Sequence, residues 1–377
     1  MNLYRVNAYI MSLFFFQFGL LQPFSLIVSS QVPVVAFTLM LLTVLVLNNK
    51  FRLKKRIVVS FILLNLFFLL NIITFDTKQE ISVWLEFLIK GSSALLFGSI
   101  ETDNKYLYKA FCTSGILNFI VLSFCIFAPF PRIAPMRFGY AMVPSVLVFI
   151  YMTIESDGIR KLLYILGLVA SFLLMVIFGT RGALLVLMIF GFIVFCSSPV
   201  VSRPIKIMIT VVSFVISLLE MQYSIFIKLL DFMYFRLNIQ TYSLKKFRLI
   251  FVLGLVQASS GRNNIYNYLA TKISESPLLG HGVGIVQSDI GFTAHNIFIQ
   301  ILVETGILGL LIWIGVWFVC YKKYRSFLRI HDKEGLKIAT LIIAVAFGRL
   351  LVSSDMWLRP EYWFMISYLI TYRVKKA

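Results

Sequence analysis

Residues 57–75 read IVVSFILLNLFFLLNIITF, an apolar run without a charged side chain. A run of this length can cross a bilayer as an α-helix. Similar runs recur along the whole chain, which is 60% hydrophobic and only 14% charged. Soluble domains carry about a quarter charged residues. The pattern therefore predicts an all-α, polytopic integral membrane protein, with a single membrane domain over residues 1–377.

Twelve apolar runs are candidates for membrane-spanning helices. No small-residue cleavage site follows the first run, so we interpret it as a retained helix and not as a signal peptide. Two runs are weaker than the others, because 81–99 contains Glu86 and Lys90 and 360–372 is short. Opposite charges one helical turn apart can neutralise each other. The runs are 8–28, 32–48, 57–75, 81–99, 110–130, 138–154, 162–178, 183–199, 205–222, 297–320, 337–353 and 360–372.

The basic residues predict which side of the membrane each loop faces. Most of the 35 lysines and arginines fall in loops that alternate on one side, whereas the opposite short loops carry few. Because basic loops stay in the cytoplasm, we expect both termini to be cytoplasmic. Most of the net charge of +19 therefore reflects the membrane topology and does not indicate binding of nucleic acid. We expect no nucleic acid as a partner.

The connection between the ninth and tenth runs, residues 223–296, is far longer than the others and is expected to face outward. It is rich in aromatic and aliphatic residues, which argues against disorder. Within it, Ser260 is a good N-cap, apolar residues follow at helical spacing, and Pro277 ends the pattern. We predict a short amphipathic helix over about 260–275. Arg262, in its first turn, would either anchor lipid headgroups or bind a phosphate group.

The end of this loop holds further candidates. Gly280, Gly282 and Gly284 are close enough for backbone N–H groups to approach an anion, or they simply form a turn. His295 and Asn296 open the tenth run. A histidine there is either a cap or interface residue or a proton acceptor.

Three other residues complete the set of candidates. Glu304 lies two to three turns into the tenth run and is either a buried structural partner or a site residue. Arg181 lies in the tight turn 179–182, and Arg137 falls on the same outer side.

These residue types indicate a chemistry. The outer acids are scattered without an Asp-x-Asp pair, which argues against a divalent-metal site. Arginines would instead hold an anion, and a lipid diphosphate fits because its headgroup is negative and its tail is apolar. It is also a good leaving group when its charge is stabilised. A neutral histidine, first of all His295, could accept the proton of an attacking sugar hydroxyl. We expect no metal and no cofactor.

Several short motifs are distributed over the outer side of the predicted protein. They are Thr180-Arg181-Gly182-Ala183, Gly261-Arg262, Pro277-Leu278-Leu279-Gly280, Gly282-Val283-Gly284, Ala294-His295-Asn296 and Glu304-Thr305-Gly306-Ile307-Leu308-Gly309. Together they resemble the signature of the O-antigen polymerase and O-antigen ligase superfamily (Wzy-type and related proteins). The chain departs from that pattern at Val143-Pro144-Ser145, where the family often has Asn-Pro-Asn.

The resemblance implies roles for individual residues. Arg181 and Arg262 would engage the diphosphate of an undecaprenyl-diphosphate-linked oligosaccharide, with Arg137 as a further arginine. His295 and Arg262 would be catalytic. The implied protein is a metal-independent glycosyltransferase of the bacterial inner membrane whose active site faces the periplasm. Membrane lipid and a polysaccharide chain-length regulator are further expected partners.

The function expected from this resemblance is polymerisation of lipid-linked oligosaccharide repeat units, in O-antigen or capsule-type polysaccharide synthesis. One alternative is an O-antigen ligase, which transfers the glycan to the lipid A core. An alternative of another class is a flippase for lipid-linked oligosaccharides. A transporter would line a mid-membrane path with charged residues, whereas here the cations crowd the outer side.

Overall fold

We describe the fold from a computed structural model. It describes residues 3–27, 32–49, 54–75, 78–127, 134–197, 225–239, 241, 244–245, 248–249 and 262–372. Over these residues the secondary structure is helical and includes no β-strand. The prediction of an all-α protein is confirmed.

The helices follow the apolar runs closely. They are α1 (Leu3–Leu20), α2 (Gln22–Ile27), α3 (Val32–Asn49), α4 (Lys55–Phe75), α5 (Lys78–Gly98), α6 (Asn104–Phe127), α7 (Pro135–Glu155), α8 (Gly158–Phe178), α9 (Arg181–Ser197), α10 (Ile225–Asp231, continued by a π-helical turn, Phe232–Arg236), α11 (Arg262–Glu275), α12 (Ile285–Ile290), α13 (Ile297–Arg329), α14 (Lys333–Leu350) and α15 (Pro360–Thr371).

Six of the described helices are long and apolar enough to cross a membrane, namely α4, α5, α6, α7, α8 and α13. Helices α3 and α9 are apolar but shorter. The predicted run 205–222 lies outside the described residues. The structure therefore supports a membrane protein with several spans. The count of twelve spans and the outward position of the loop 223–296 stay predictions.

Helices α14 and α15 do not meet the same criteria, for two physical reasons. Helix α14 carries four charged residues, and α15 has only 12 residues, of which ten are buried. Both lie inside the bundle, where α15 contacts α4, α5, α13 and α14. Because the surrounding helices shield them, these two need neither a fully apolar surface nor full spanning length.

The helix ends sort into two groups. The end of α1, the starts of α3 and α7, the end of α14 and the start of α15 surround one cavity, and we call this the cavity end. The end of α5, the starts of α6 and α14 and the end of α15 meet at the opposite end. There Lys54 and Arg56 reach the carbonyl oxygens of Thr371 and Ile370, each at 3.5 Å.

Aromatic rings hold the centre of the bundle together. The ring centroid of Trp357 lies 5.0 Å from that of Phe68 and 5.8 Å from that of Trp363. Phe87 of α5 lies 5.0 Å from both Phe68 and Trp363. Large rings in such edge and offset contacts dominate core packing. They anchor the connection between α14 and α15 inside the protein.

Candidate functional site

Helix α13 is broken at Gly306, where φ is 63° and ψ is −166°. This combination is essentially restricted to glycine. In an unbroken helix the amides of Ile307 and Leu308 would donate to the carbonyls of Val303 and Glu304. The break removes both hydrogen bonds. It leaves two donors and two acceptors that need other partners inside the protein.

Residues 277–284, which we call the docked segment, supply all four partners. The amides after the break donate to carbonyls of the docked segment, and amides of the docked segment donate to the carbonyls before the break. The hydrogen bonds are Ile307 N to Pro277 O at 2.9 Å, Leu308 N to Leu278 O at 3.3 Å, His281 N to Val303 O at 2.8 Å and Gly282 N to Glu304 O at 3.0 Å. Two of the signature motifs, 277–280 and 282–284, therefore bind a third, 304–309, through the backbone.

Glycine is required at this contact. Gly280 and Gly282 have φ values of 72° and 91°. A Cβ on Gly280 would lie 2.5 Å from the carbonyl carbon of Glu304, and one on Gly282 would lie 2.7 Å from Glu80 Oε1. Gly284 also has a positive φ, and its amide donates to Glu304 Oε1 at 3.2 Å. The amides of residues 280–284 all donate to protein acceptors, so these glycines support the structure around the site.

Glu304 lies at the centre of this contact and is only 1% exposed. Its carboxylate accepts hydrogen bonds from the amide of Gly284, from the side-chain amide of Gln300 at 3.3 Å and from the indole N–H of Trp357 at 2.7 Å. Gln300 Oε1 in turn accepts from the amide of Met356 at 3.0 Å. Glu304 therefore ties α13 both to the docked segment and to the connection between α14 and α15.

That connection, residues 351–359, carries a second buried carboxylate. Asp355 Oδ1 accepts from the amide of Trp357 at 2.8 Å, and Oδ2 accepts from the side-chain amide of Gln287 in α12 at 3.1 Å. Burial raises the pKa of Asp355, while its hydrogen bonds and the charge of Arg359 act in the opposite direction. The connection is thereby held against α12, and it ends at Arg359.

A cavity of about 310 Å³ opens at the cavity end, beside this connection. Among its described lining residues are four cations and two carboxylates. They are Lys90, Arg137, Arg349 and Arg359, with Glu86 and Glu361. The rest of the wall is mainly apolar, and low-dielectric walls strengthen the field of an excess charge. The cavity therefore attracts anions.

Two of the cations have carboxylate partners. Lys90 forms with Glu86 the ion pair that their spacing predicts. Arg349 Nη1 lies 3.5 Å from Glu361 Oε1. Its guanidinium also lies over the ring of Tyr140, 4.8 Å from the centroid, in a cation–π contact. These contacts hold the head of Arg349 at the cavity wall.

Arg359 differs from these two cations. Burial, followed by the charge of Arg349, lowers the pKa of Arg359, although the nearby carboxylates oppose this. The buried Nε atoms of both arginines have no hydrogen-bond partner among the described residues. These Nε–H groups are therefore donors that a bound anion would satisfy. The four cations and two carboxylates of the described lining also leave a net positive charge.

The turn between α8 and α9 lies next to the cavity. A Cβ on Gly139 would lie 2.8 Å from the amide nitrogen of Thr180, and one on Gly182 would lie 2.3 Å from the hydroxyl oxygen of Tyr140. Tyr140 itself lines the cavity. The backbone of Arg181, the first residue of α9, is therefore close to the cavity wall. Its side chain lies outside the described part of the chain.

Asn296 and His295 are not among the described residues that line the cavity. Asn296 caps α13, because its Oδ1 accepts from the amide of Phe298 at 2.9 Å. His295 has a φ of 56°, and its Nδ1 lies 3.3 Å from Thr293 Oγ1. Arg262 begins α11, and its side chain is not among those that the structure describes.

Of the predicted site residues, the structure brings Arg137 into the cavity lining. Sequence reasoning did not assign Lys90, Arg349 or Arg359 to the site. A signal for the two arginines was present, because they bracket the polar stretch Ser353-Ser354-Asp355 between two apolar runs. Polar and charged residues at membrane depth mark buried or functional sites.

Membrane-spanning helices and a cationic cavity at one end of the bundle define a helical membrane protein with an anion-attracting site. Residues 166–314 match the family model described as O-Antigen ligase. This confirms the resemblance to the O-antigen polymerase and ligase superfamily and supports glycan transfer of that general type. The matched range includes the docked segment and the break in α13, whereas Arg137, Arg349 and Arg359 lie outside it. No protein of curated function matches the chain.

Proposed function

We propose that the protein transfers a glycan from a polyprenyl diphosphate carrier to an acceptor sugar hydroxyl at the outer face of the inner membrane, as a polymerase of lipid-linked repeat units. The observation that carries this proposal is the cationic cavity. Guanidinium groups bind phosphate oxygens through paired hydrogen bonds. The apolar helices around the cavity suit a lipid-linked substrate, and the family match supports the reaction class.

In the proposed reaction, the acceptor hydroxyl oxygen attacks the anomeric carbon of the donor glycan. The bond between that carbon and the diphosphate oxygen breaks, and the polyprenyl diphosphate leaves with the electron pair. The hydroxyl proton passes to a base. We assign the diphosphate to Arg137, Arg349 and Arg359, whose charges would stabilise the negative charge that develops on the leaving group.

His295 is the proposed proton acceptor, and Arg181 and Arg262 are proposed as further partners of the diphosphate. The hydrogen bond between Gln287 and Asp355 supports a shared site. It ties the segment that leads to the histidine to the connection that forms the cavity wall.

An O-antigen ligase is the second candidate, because the matching family model carries that description. Both reactions use the same donor and differ in the acceptor, which is either a second lipid-linked repeat unit or a lipid A core sugar. Deletion of the gene separates them. If the deletion leaves a core capped with a single repeat unit at the cell surface, the protein is a polymerase. If it leaves an uncapped core and polymer retained on the carrier, the protein is a ligase. The family match gives the flippase alternative no support.

A reconstituted assay tests the proposal directly. Purified protein in lipid vesicles receives an undecaprenyl-diphosphate-linked repeat unit, and we expect the wild type to form a ladder of longer products. Arg359→Gln and His295→Ala should each lower product formation by about 100-fold or more, because a charge stabiliser or a base is lost. Product is compared per amount of folded protein, because removal of the buried Arg359 leaves Asp355 and Glu361 without its charge.

Arg160→Gln is the matched control, because Arg160 is an exposed cation at the start of α8 and does not line the cavity. A near-normal ladder from Arg359→Gln or His295→Ala would refute the role of that residue. If the wild type formed no glycan product with either a repeat-unit or a lipid A core acceptor, the proposed function would be wrong.

A further inference from the structure

An apolar groove of about 460 Å³ adjoins the cationic cavity and lies between α3, α4 and α5. Two of its three described lining hydroxyl groups are engaged by the protein, since Thr38 donates to Gln17 Oε1 at 3.1 Å and Ser93 donates to the carbonyl of Lys90 at 3.1 Å. The third, Ser92 Oγ, is buried and has no hydrogen-bond partner among the described residues. The remaining surface is almost entirely aliphatic or aromatic. The lining residues are Val35, Thr38, Leu39, Leu42, Ile57, Val58, Phe61, Leu88, Ile89, Ser92, Ser93, Leu95 and Leu96.

The groove and the cavity meet at Val35 and Ile89, which line both. The ion pair of Glu86 and Lys90 flanks Ile89 on α5 and faces the cavity side of this junction. A molecule with an anionic head in the cavity and a hydrocarbon tail in the groove would therefore cross between Val35 and Ile89. Its first charged group would lie next to Lys90.

The groove runs from the cavity toward the opposite end of the bundle. Its lining extends from Val35 to Leu42 on α3 and from Leu88 to Leu96 on α5, which is about 12 Å of helix. Val58 belongs to the first turn of α4 and so lies near the far end of the groove, because α4 begins at the opposite end of the bundle. A tail in the groove would point away from the headgroup site, as in a bilayer leaflet.

The groove also opens toward lipid. Leu39 is 58% exposed, and Phe61 and Ile89 are exposed as well. In a membrane-spanning bundle, exposed aliphatic and aromatic side chains face hydrocarbon. A long tail can therefore enter sideways from the bilayer without passing through the protein.

We propose that this groove binds the hydrocarbon tail of the lipid-linked donor, and that Lys90 contacts the phosphate nearest the tail by exchanging Glu86 for it. This inference rests on the proposed function of the cavity. The occupant we assign is an isoprenoid chain on a diphosphate. The groove is continuous with a site that presents several cations, which matches the two phosphates of such a head better than the single phosphate of a bilayer lipid.

A groove-filling variant tests the assignment. Val58→Trp places a large ring at the far end of the groove, whereas Leu63→Trp, the matched control on α4, adds the same ring at a 60% exposed position outside it. Each protein is assayed with the natural long-tail donor and with a donor of two isoprene units. Because each buried methylene adds to binding, losing several should weaken use of the long-tail donor by about tenfold or more in Val58→Trp only.

The short-tail donor should react equally with all three proteins, because its tail ends near the junction with the cavity. Equal use of the long-tail donor by Val58→Trp and Leu63→Trp would overturn the groove assignment. If the wild type transferred glycan from neither donor, the proposed function would be wrong. Photolabelling would then test independently whether the groove binds an isoprenoid tail.

Photolabelling locates the tail without requiring turnover. A polyprenyl diphosphate with a diazirine in its tail is irradiated with the wild-type protein in vesicles, and labelled peptides are mapped by mass spectrometry. We expect labels within 35–42, 57–61 and 88–96, suppressed by excess unlabelled polyprenyl diphosphate. Labels confined to other lipid-facing helices such as α8, or suppression by excess phosphatidylglycerol alone, would overturn the proposal.

Discussion

The docked segment and the cationic cavity lie within one bundle but are built on opposite principles. At the docked segment the backbone groups freed by the break in α13 find protein partners, and the carboxylate of Glu304 accepts several hydrogen bonds. At the cavity, buried nitrogen atoms of Arg349 and Arg359 have no hydrogen-bond partner among the described residues.

This difference separates two kinds of motif residue. A network whose hydrogen bonds are all made stabilises the fold and positions its residues. A substitution in such a network therefore lowers the stability of the protein. A buried donor without a partner costs stability, and a ligand that accepts its hydrogen bond removes that cost. The family match covers the first region, while the arginines of the cavity lie outside it. Substitutions should therefore act on folding in one region and on transfer in the other.

The largest effect is expected for Gly306→Ala. A Cβ at Gly306 would lie 2.2 Å from the carbonyl oxygen of Leu278, and the positive φ is strained for any other residue. We expect the free energy of unfolding to fall by more than about 4 kcal/mol, which prevents accumulation of folded protein. Gly315→Ala in the same helix meets no atom within 4 Å and should behave as wild type. The yield of monodisperse protein after detergent extraction measures both, and normal yield of Gly306→Ala would show that the docked segment is dispensable.

Glu304→Gln should have the next largest effect and tests whether this carboxylate is structural. One acceptor oxygen is lost, so either the indole of Trp357 or the Gly284 amide loses a bond, at a cost of about 1–3 kcal/mol. We expect a lower thermal unfolding midpoint and unchanged transfer per folded molecule. Glu101→Gln, at an exposed position, is the control. If Glu304→Gln lost transfer activity while its unfolding midpoint stayed unchanged, Glu304 would act in the reaction and not in the structural network.

Arg137→Gln should show the reverse pattern. Arg137 is exposed at the cavity, so its removal leaves no buried partner behind. We expect transfer to fall by about tenfold, the equivalent of one phosphate contact, with no change in thermal stability. Arg160→Gln again serves as the control. If Arg137→Gln were destabilised but transferred glycan normally per molecule, the cavity would be a structural region like the docked segment, and the proposed difference between the two regions would be wrong.

The smallest effect is expected for Tyr268→Phe. Tyr268 donates to Asp289 and thereby joins α11 to α12. Burial, followed by this hydrogen bond, raises the pKa of Tyr268 to about 12. Because the pKa of Tyr268 is higher in the folded protein, the protonated hydroxyl stabilises the fold. This stabilisation is fully present below the ordinary pKa of about 10 and is lost as the pH rises toward 12.

The Tyr268→Phe variant should therefore be less stable by about 0.5–1.5 kcal/mol at neutral pH. Its unfolding midpoint should fall less steeply than that of the wild type between pH 10 and 12. Parallel midpoints over this range would show that the hydrogen bond to Asp289 contributes nothing to the contact of α11 with α12.

Sequence reasoning predicted the fold well where a local pattern decides it. Hydropathy predicts helices such as α4 and α8 because each must present apolar side chains along its whole length. It also places Arg137 at the outer side, and the structure brings that residue to the cavity. The ion pair of Glu86 and Lys90 follows from spacing alone.

The rest depends on contacts between distant parts of the chain. Nothing local shows that α13 exchanges two of its own hydrogen bonds for four with the docked segment, because Gly306 reads simply as a glycine in an apolar run. Arg349 and Arg359 come together only because residues 351–359 fold back inside the protein. For His295, Arg181 and Arg262, the assigned roles stay predictions.

The break at Gly306 also has a consequence for the bilayer. The predicted apolar run 297–320 would measure about 36 Å, close to the thickness of the hydrocarbon layer, and the basic residues Lys322, Lys323, Arg325 and Arg329 that follow it belong at the headgroups. Gly306 lies about 14 Å into that run, so the break falls within the predicted hydrocarbon depth. An interrupted helix is tolerated at such depth only where its freed backbone groups find partners in the protein, and the docked segment supplies them here.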